Sequence, residues 1–160
     1  MGYKAICEQS EQILTREEFF SELKNRNAIM LPVTSDRAIE LSRGSLQQMR
    51  CAMFSLELID IYKNMAGGII MGDANIFGPD KFDRVKFNYE IPDIVQVNRE
   101  IANIPAARGK TIVGRNQMFW FAFDAFGTFY MLNNLNLGTL RKYEGDPYRA
   151  IMDCLIIGRI

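Results

Sequence analysis

The chain contains no histidine. That absence removes Ser-His-Asp and Cys-His catalysis and every metal site built on imidazole. Cysteine is scarce: Cys7, Cys51 and Cys154 are far apart, odd in number and form no CxxC pair. The pattern predicts neither a disulfide framework nor a zinc site, but reduced thiols, with Cys51 and Cys154 packed in helices. No apolar run approaches the ~18 residues that span a bilayer. The first residues, MGYKAICEQSEQ, hold no apolar h-region, and Ile6 stands where a myristoylation signal needs Ser or Thr. The expectation is a cytoplasmic protein with no membrane partner. Charge of one sign is also missing: 19 basic residues face 19 acidic ones, which excludes a strongly basic nucleic-acid binder. There is no GxxxxGK[ST], GxGxxG or GxSxG, so no motif implies a phosphate-bearing cofactor or an esterase elbow. No cofactor and no metal are expected.

What is present is an ordinary globular balance. Over 160 residues, 48% are hydrophobic and 24% charged, enough apolar content to order one domain over 1–160. The first half reads helical. Thr15 and Glu18 form a capping box, with Leu14 and Phe19 placed as a staple, so a helix runs from Arg16 to about Asn25. Residues 1–30 read as a helical N-terminal extension. Residues 35–65 read as two or three helices, with Gly44 a break and Leu46, Met49 and Met53 on one face of the second. Ser55 caps the third, whose Leu58, Ile61, Tyr62 and Met65 recur at helical spacing. Gly67 is expected just past its end with positive φ.

Strands dominate the rest. Ile69–Met71 and Ala74–Phe77 flank a turn at Gly72-Asp73. Pro92 opens a helix over roughly 92–103, striped by Ile94, Val97 and Ile101 and stopped by Pro105. Thr111–Gly114 and Met118–Phe123 are strands. The second is apolar on both faces and is expected to be central and covered on both sides. It pairs with Thr128–Leu132 across an Asp124–Gly127 turn, and Thr139–Tyr143 adds a further strand. A final helix starts at Asp146-Pro147 and ends at Gly158. The class is α+β: a mixed, mainly antiparallel sheet with helices packed against it.

Chemistry is sparse. Paired carboxylates are the one catalytic device the composition permits. The candidates Asp73, Asp124, Glu144 and Asp146 have no spacing that joins two of them, and Asp124 and Asp146 read more simply as a turn former and a helix cap. The aromatic run from Phe119 to Tyr130 lacks interleaved basic residues, so core packing is preferred over a stacking platform for nucleic acid. The first 80 residues carry 8 basic and 11 acidic side chains and the last 80 carry 11 and 8, a slight polarity compatible with a protein-binding face.

The order of motifs resembles the SUKH superfamily. A helix ends in YKNMAGG (Tyr62–Gly68), followed by IFG (Ile76–Gly78), YEIPDIVQVN (Tyr89–Asn98) and IVGR (Ile112–Arg115). WFAFD (Trp120–Asp124) and TFYML then form a hairpin before a last helix. Members typically show a helix ending in a Y…NGG element and a hairpin with an aspartate turn before an aromatic strand. The match spans roughly residues 45–158. The resemblance implies an α+β domain without catalytic residues. It also implies a bacterial immunity protein that neutralises a partner toxin, often a nuclease or deaminase.

The expectation is therefore a non-enzymatic protein-binding module. Polar residues on sheet-edge loops, Asp73, Asn75, Arg115, Asn116 and Arg141, are the candidate partner-binding residues, because loops carry function more often than cores. The alternatives are a small-molecule or peptide-binding domain with an apolar pocket near Trp120 or Tyr130, and an enzyme using two converging carboxylates with a shifted pKa.

Overall fold

The computed structural model describes residues 12–80, 82–84 and 89–157, so Cys7 and the stop expected at Gly158 lie outside the described residues. Helix α1, Arg16–Asn25, begins on the expected capping box: Thr15 Oγ1 accepts from the Glu18 amide, and the Glu18 carboxylate accepts from the Thr15 amide. Strand β1 is Ile29–Met30. Helix α2, Asp36–Gln48, runs straight through Gly44. Gly44 is exposed with open space where a Cβ would sit. Its ~1 kcal/mol propensity cost is outweighed by burying Ile39, Ser42 and Leu46 on the other side. The helix stops after Gln48, so Met53 lies outside it and Cys51 sits in the following turn rather than in a helix. Arg50 takes φ of 60° there, as Asn27 does (57°) after α1. This left-handed conformation costs a non-glycine residue about 1 kcal/mol.

Helix α3, Leu56–Asp60, is capped by Ser55 and continues as a π-turn, Ile61–Met65, closed by the Ala66 amide on the Ile61 carbonyl at 2.8 Å. Gly67 then serves a purpose other than positive φ, which it does not adopt. A Cβ on it would lie 2.4 Å from the Pro32 carbonyl oxygen, and one on Gly78 would lie 1.5 Å from the Gly67 carbonyl oxygen. The two glycines let three backbone segments cross at contact distance. Beside the crossing, the fully buried Tyr62 donates its hydroxyl to the Phe77 carbonyl at 2.6 Å.

Strands β2 (Ile69–Met71), β3 (Ala74–Ile76), β4 (Phe82–Arg84) and β5 (Tyr89–Ile91) follow. Helix α4, Ile94–Ile101, is capped by Asp93, not opened by Pro92. The Asp93 carboxylate accepts from the Gln96 amide at 2.7 Å, and Pro105 begins a separate 3-10 turn, Pro105–Ala107. Strands β6 (Lys110–Arg115), β7 (Phe119–Asp124), β8 (Phe129–Asn133) and β9 (Thr139–Tyr143) precede helix α5, Pro147–Ile156.

Seven strands form one sheet in the order β1-β2-β3-β6-β7-β8-β9, and every described pairing is antiparallel. Strands β4 and β5 pair separately. Helix α5 crosses one face of the sheet, with Ala150, Ile151, Cys154 and Leu155 buried. Helix α1 packs on α5 with Phe19 and Leu23 fully buried, and β1 joins the sheet, so the described part of residues 1–30 is integral to the core. Where β3 ends, the Asn98 carboxamide stands in for it: Oδ1 accepts from the Ile112 amide at 2.7 Å and Nδ2 donates to the Ile112 carbonyl at 3.0 Å. No helix among the described residues is long and apolar enough to cross a membrane.

Two stability outcomes follow from this geometry. Gly44→Ala adds a better helix former at an open, exposed site and is expected to stabilise by about 0.5–1 kcal/mol. Tyr62→Phe strands the buried Phe77 carbonyl and is expected to cost about 1–3 kcal/mol. Urea unfolding midpoints measure both; a Tyr62→Phe protein as stable as the parent would show that the buried hydroxyl does not hold the crossing.

Candidate functional site

The sheet register sets a row of side chains across four strands. Asn75 of β3 lies opposite Arg115 of β6, Arg115 opposite Trp120 of β7, and Trp120 opposite Leu132 of β8. Directly opposed residues project from the same face. The Arg115 guanidinium carbon sits 5.3 Å from the centre of the Phe77 ring and 5.6 Å from that of Trp120. Phe77 is fully buried beneath it, while Arg115 and Trp120 are half-buried. Among the described residues, no carboxylate pairs with Arg115. Its charge rests on two aromatic faces, which restrict its motion.

Three turns meet at the same end of the sheet. Asp73, exposed in the β2–β3 turn, accepts from the Gln117 side chain at 2.7 Å. Asn134 donates to the Gln117 carbonyl at 3.3 Å from the β8–β9 loop. Met118 and Leu135 are exposed in these loops, Leu135 to 90%. The result is a small apolar surface rimmed by amides and a carboxylate, next to the Arg115–Trp120 pair.

Of the five residues expected to bind a partner, Asp73, Asn75 and Arg115 gather here. Asn116 adjoins them but is buried and fully engaged. Its Nδ2 donates to the Cys154 and Ile157 carbonyls at 3.0 and 2.7 Å, capping α5, and its Oδ1 accepts from the Met118 and Phe119 amides at 2.9 and 2.8 Å. Arg141 lies on the α5 side of the sheet. It pairs with Asp153 at 3.3 Å and stacks 4.6 Å from the Tyr143 ring centre. The aromatic run, Trp120 included, reads from the sequence as core. Strand β7 is buried from Phe121 to Phe123 but half-exposed at Phe119 and Trp120, so it is not covered on both sides along its length. Arg115 directly before the aromatic run was the one signal that this end meets solvent.

Of the candidate carboxylates, Asp73, Asp124 and Asp146 each have separate partners. The Asp124 carboxylate accepts from the Phe126 and Thr128 amides and from the Tyr130 hydroxyl. Burial opposes its ionisation, but these bonds and Lys110 outweigh burial and hold it below the ordinary range, while Asp124 pushes Tyr130 up to about 12. Asp146 makes no cap bond to its own helix; its Oδ1 accepts from the Leu14 amide at 3.1 Å. Burial raises the pKa of both Asp146 and Asp153, and the Asp146 charge raises Asp153 further; the Leu14 amide, Arg149 and Arg141 oppose this at Asp146, and the Tyr143 hydroxyl at 2.7 Å, Arg141 and Arg149 at Asp153. Asp60 is the reverse case. Burial is again the largest single influence and raises it. The bonds from Arg16 (2.6 Å), Asn64 and Tyr148 and the Arg16 charge together bring its carboxyl below the usual range.

These shifts have opposite signs in stability. Asp60, depressed when folded, stabilises above its unfolded pKa of about 4. That contribution is lost as pH falls through its lower folded value, so Asp60→Asn is expected to flatten the acid side of the stability curve. Asp153, raised when folded, stabilises below about pH 4 and loses that contribution as pH rises through its folded value. Asp153→Asn is therefore expected to flatten the decline just above pH 4. Melting temperatures across pH 2–7 separate the two, and identical curves for parent and Asp153→Asn would refute the assignment. Compared with protein-family models, curated proteins and solved structures, the chain matches none.

Proposed function

We propose that this chain is a non-enzymatic protein-binding module, an immunity protein of SUKH type that neutralises a cognate bacterial toxin. The toxin would be of the nuclease or deaminase kind and bind in the cytoplasm. The observation that carries the reading is the Arg115–Trp120 pair seated on buried Phe77. Arg and Trp on a preorganised, partly desolvated base are the residue types that dominate interface energies. The neighbouring apolar loop tips, rimmed by Asp73, Gln117 and Asn134, match the pattern of an apolar interface core with a polar edge. An arginine whose fork meets no carboxylate in the described chain suits an acidic partner group.

The test is inhibition. A toxin domain recovered by affinity capture from the host is purified and assayed with and without this protein. The proposal expects stoichiometric loss of toxin activity, and Arg115→Glu is expected to weaken binding by at least about 30-fold, or ~2 kcal/mol. Its melting temperature should remain close to that of the parent, since Arg115 is only half-buried. A toxin inhibited equally well by Arg115→Glu would move the interface elsewhere. Failure to inhibit any captured nuclease or deaminase would overturn the immunity reading.

A further inference from the structure

Strand β6 has a second charged end. At Lys110, opposite Arg115, a cleft of about 490 Å³ opens between the C-terminal ends of α2 and α4 and the start of the strand. Arg50, Arg108 and Lys110 line it together with apolar Met49, Ile101 and Ala107, and among the described residues no Asp or Glu is in its wall. The simplest role for these cations is to offset the two helix C-termini. Each helix end carries about half a negative charge, so together they account for one cation of three. Asp124, opposite Lys110 in register, accounts for a second at most. An excess of roughly one to two positive charges remains, which suits an anion of comparable charge.

Arg50 supplies an independent observation. It occupies the position past α2 where a left-handed backbone is needed and where glycine or asparagine is the usual choice. After α1 the equivalent position is Asn27. A long cationic side chain held at an unfavourable φ on the rim of a cleft points to a use for that side chain.

We propose that this cleft binds a phosphate monoester carried on a small apolar body. A phosphate monoester has a charge of about −1.5 to −2 near neutrality, and arginine forks match its oxygens in pairs. The volume lies in the range of small-molecule sites and far exceeds a bare phosphate, leaving the apolar wall to receive the body. The site shares no residue with the Arg115 row, so it stands or falls separately from the toxin reading.

The experiment uses the full chain and follows backbone amides of Cys51, Ala102 and Gly109 by two-dimensional NMR during titration with phenyl phosphate, inorganic phosphate and benzyl alcohol. Saturable shifts with phenyl phosphate are expected, weakened by added salt. Inorganic phosphate should bind at least about tenfold more weakly and benzyl alcohol more weakly still. Arg108→Ala, at an exposed loop position, should reduce phenyl phosphate affinity at least about tenfold. Arg50→Gly separates structure from binding: it should raise the melting temperature while reducing affinity. No saturable shift at millimolar phenyl phosphate would overturn the proposal. Equal affinity for inorganic phosphate would overturn the apolar-body part, and undiminished binding by both arginine variants would overturn the site.

Discussion

The fold depends on the crossing of Gly67 and Gly78. Their backbones meet where no Cβ fits, and that contact sets the distance between the π-turn after α3 and the chain leaving β3. Hydrogen bonds then radiate from it. The Gly67 amide reaches the Leu31 and Pro32 carbonyls, the Thr34 amide reaches Tyr62, and the Ile94 amide reaches Gly78. Four segments distant in sequence are therefore tied within a few residues of one point. Tyr62, buried with its hydroxyl on Phe77, fills the volume beside it. Since Phe77 is also the floor under Arg115, the same node that orders the helices fixes the base of the candidate binding surface.

Strand β6 links the two surfaces. Its first residue faces the cationic cleft and its last carries the guanidinium between Phe77 and Trp120. Between them, β3 pairs with only Arg115 and Gly114, and Asn98 completes the edge at Ile112. A side chain that copies a strand's two hydrogen bonds lets α4 seat directly against the sheet. That placement brings the end of α4 to the cleft and leaves β3 short enough to turn toward the crossing.

Local signals were legible in the sequence because their physics is local. Thr15 with Glu18, Ser55, and the Asp124–Gly127 turn each satisfy backbone groups within four residues, and each forms where its residue types put it. Features set by tertiary contact are not legible in this way. Gly44 reads as a breaker until the burial on the opposite face of α2 is counted. Gly67 reads as a helix terminator, whereas its reason is a contact with Pro32 and Gly78, residues that spacing does not bring together. Arg115 was identifiable as a polar residue at a strand end. Trp120 was not, because an apolar run does not reveal which end of the strand its neighbours leave open. Asn116 and Arg141 are polar for structural reasons: one caps α5 and the other neutralises Asp153 beneath it.

One bond near the chain's beginning has a consequence in time. The Leu14 amide, just before α1, is satisfied by the Asp146 carboxylate, 132 residues later, and Phe19 packs on Tyr148 with ring centres 5.3 Å apart. On the ribosome α1 is made well before α5, the helix on which it docks. The capping box can hold the helix only loosely until then, since a ten-residue helix is marginal alone. The α1 face that packs on α5 thus lacks that partner until α5 has been made, so docking of the two helices comes late in folding.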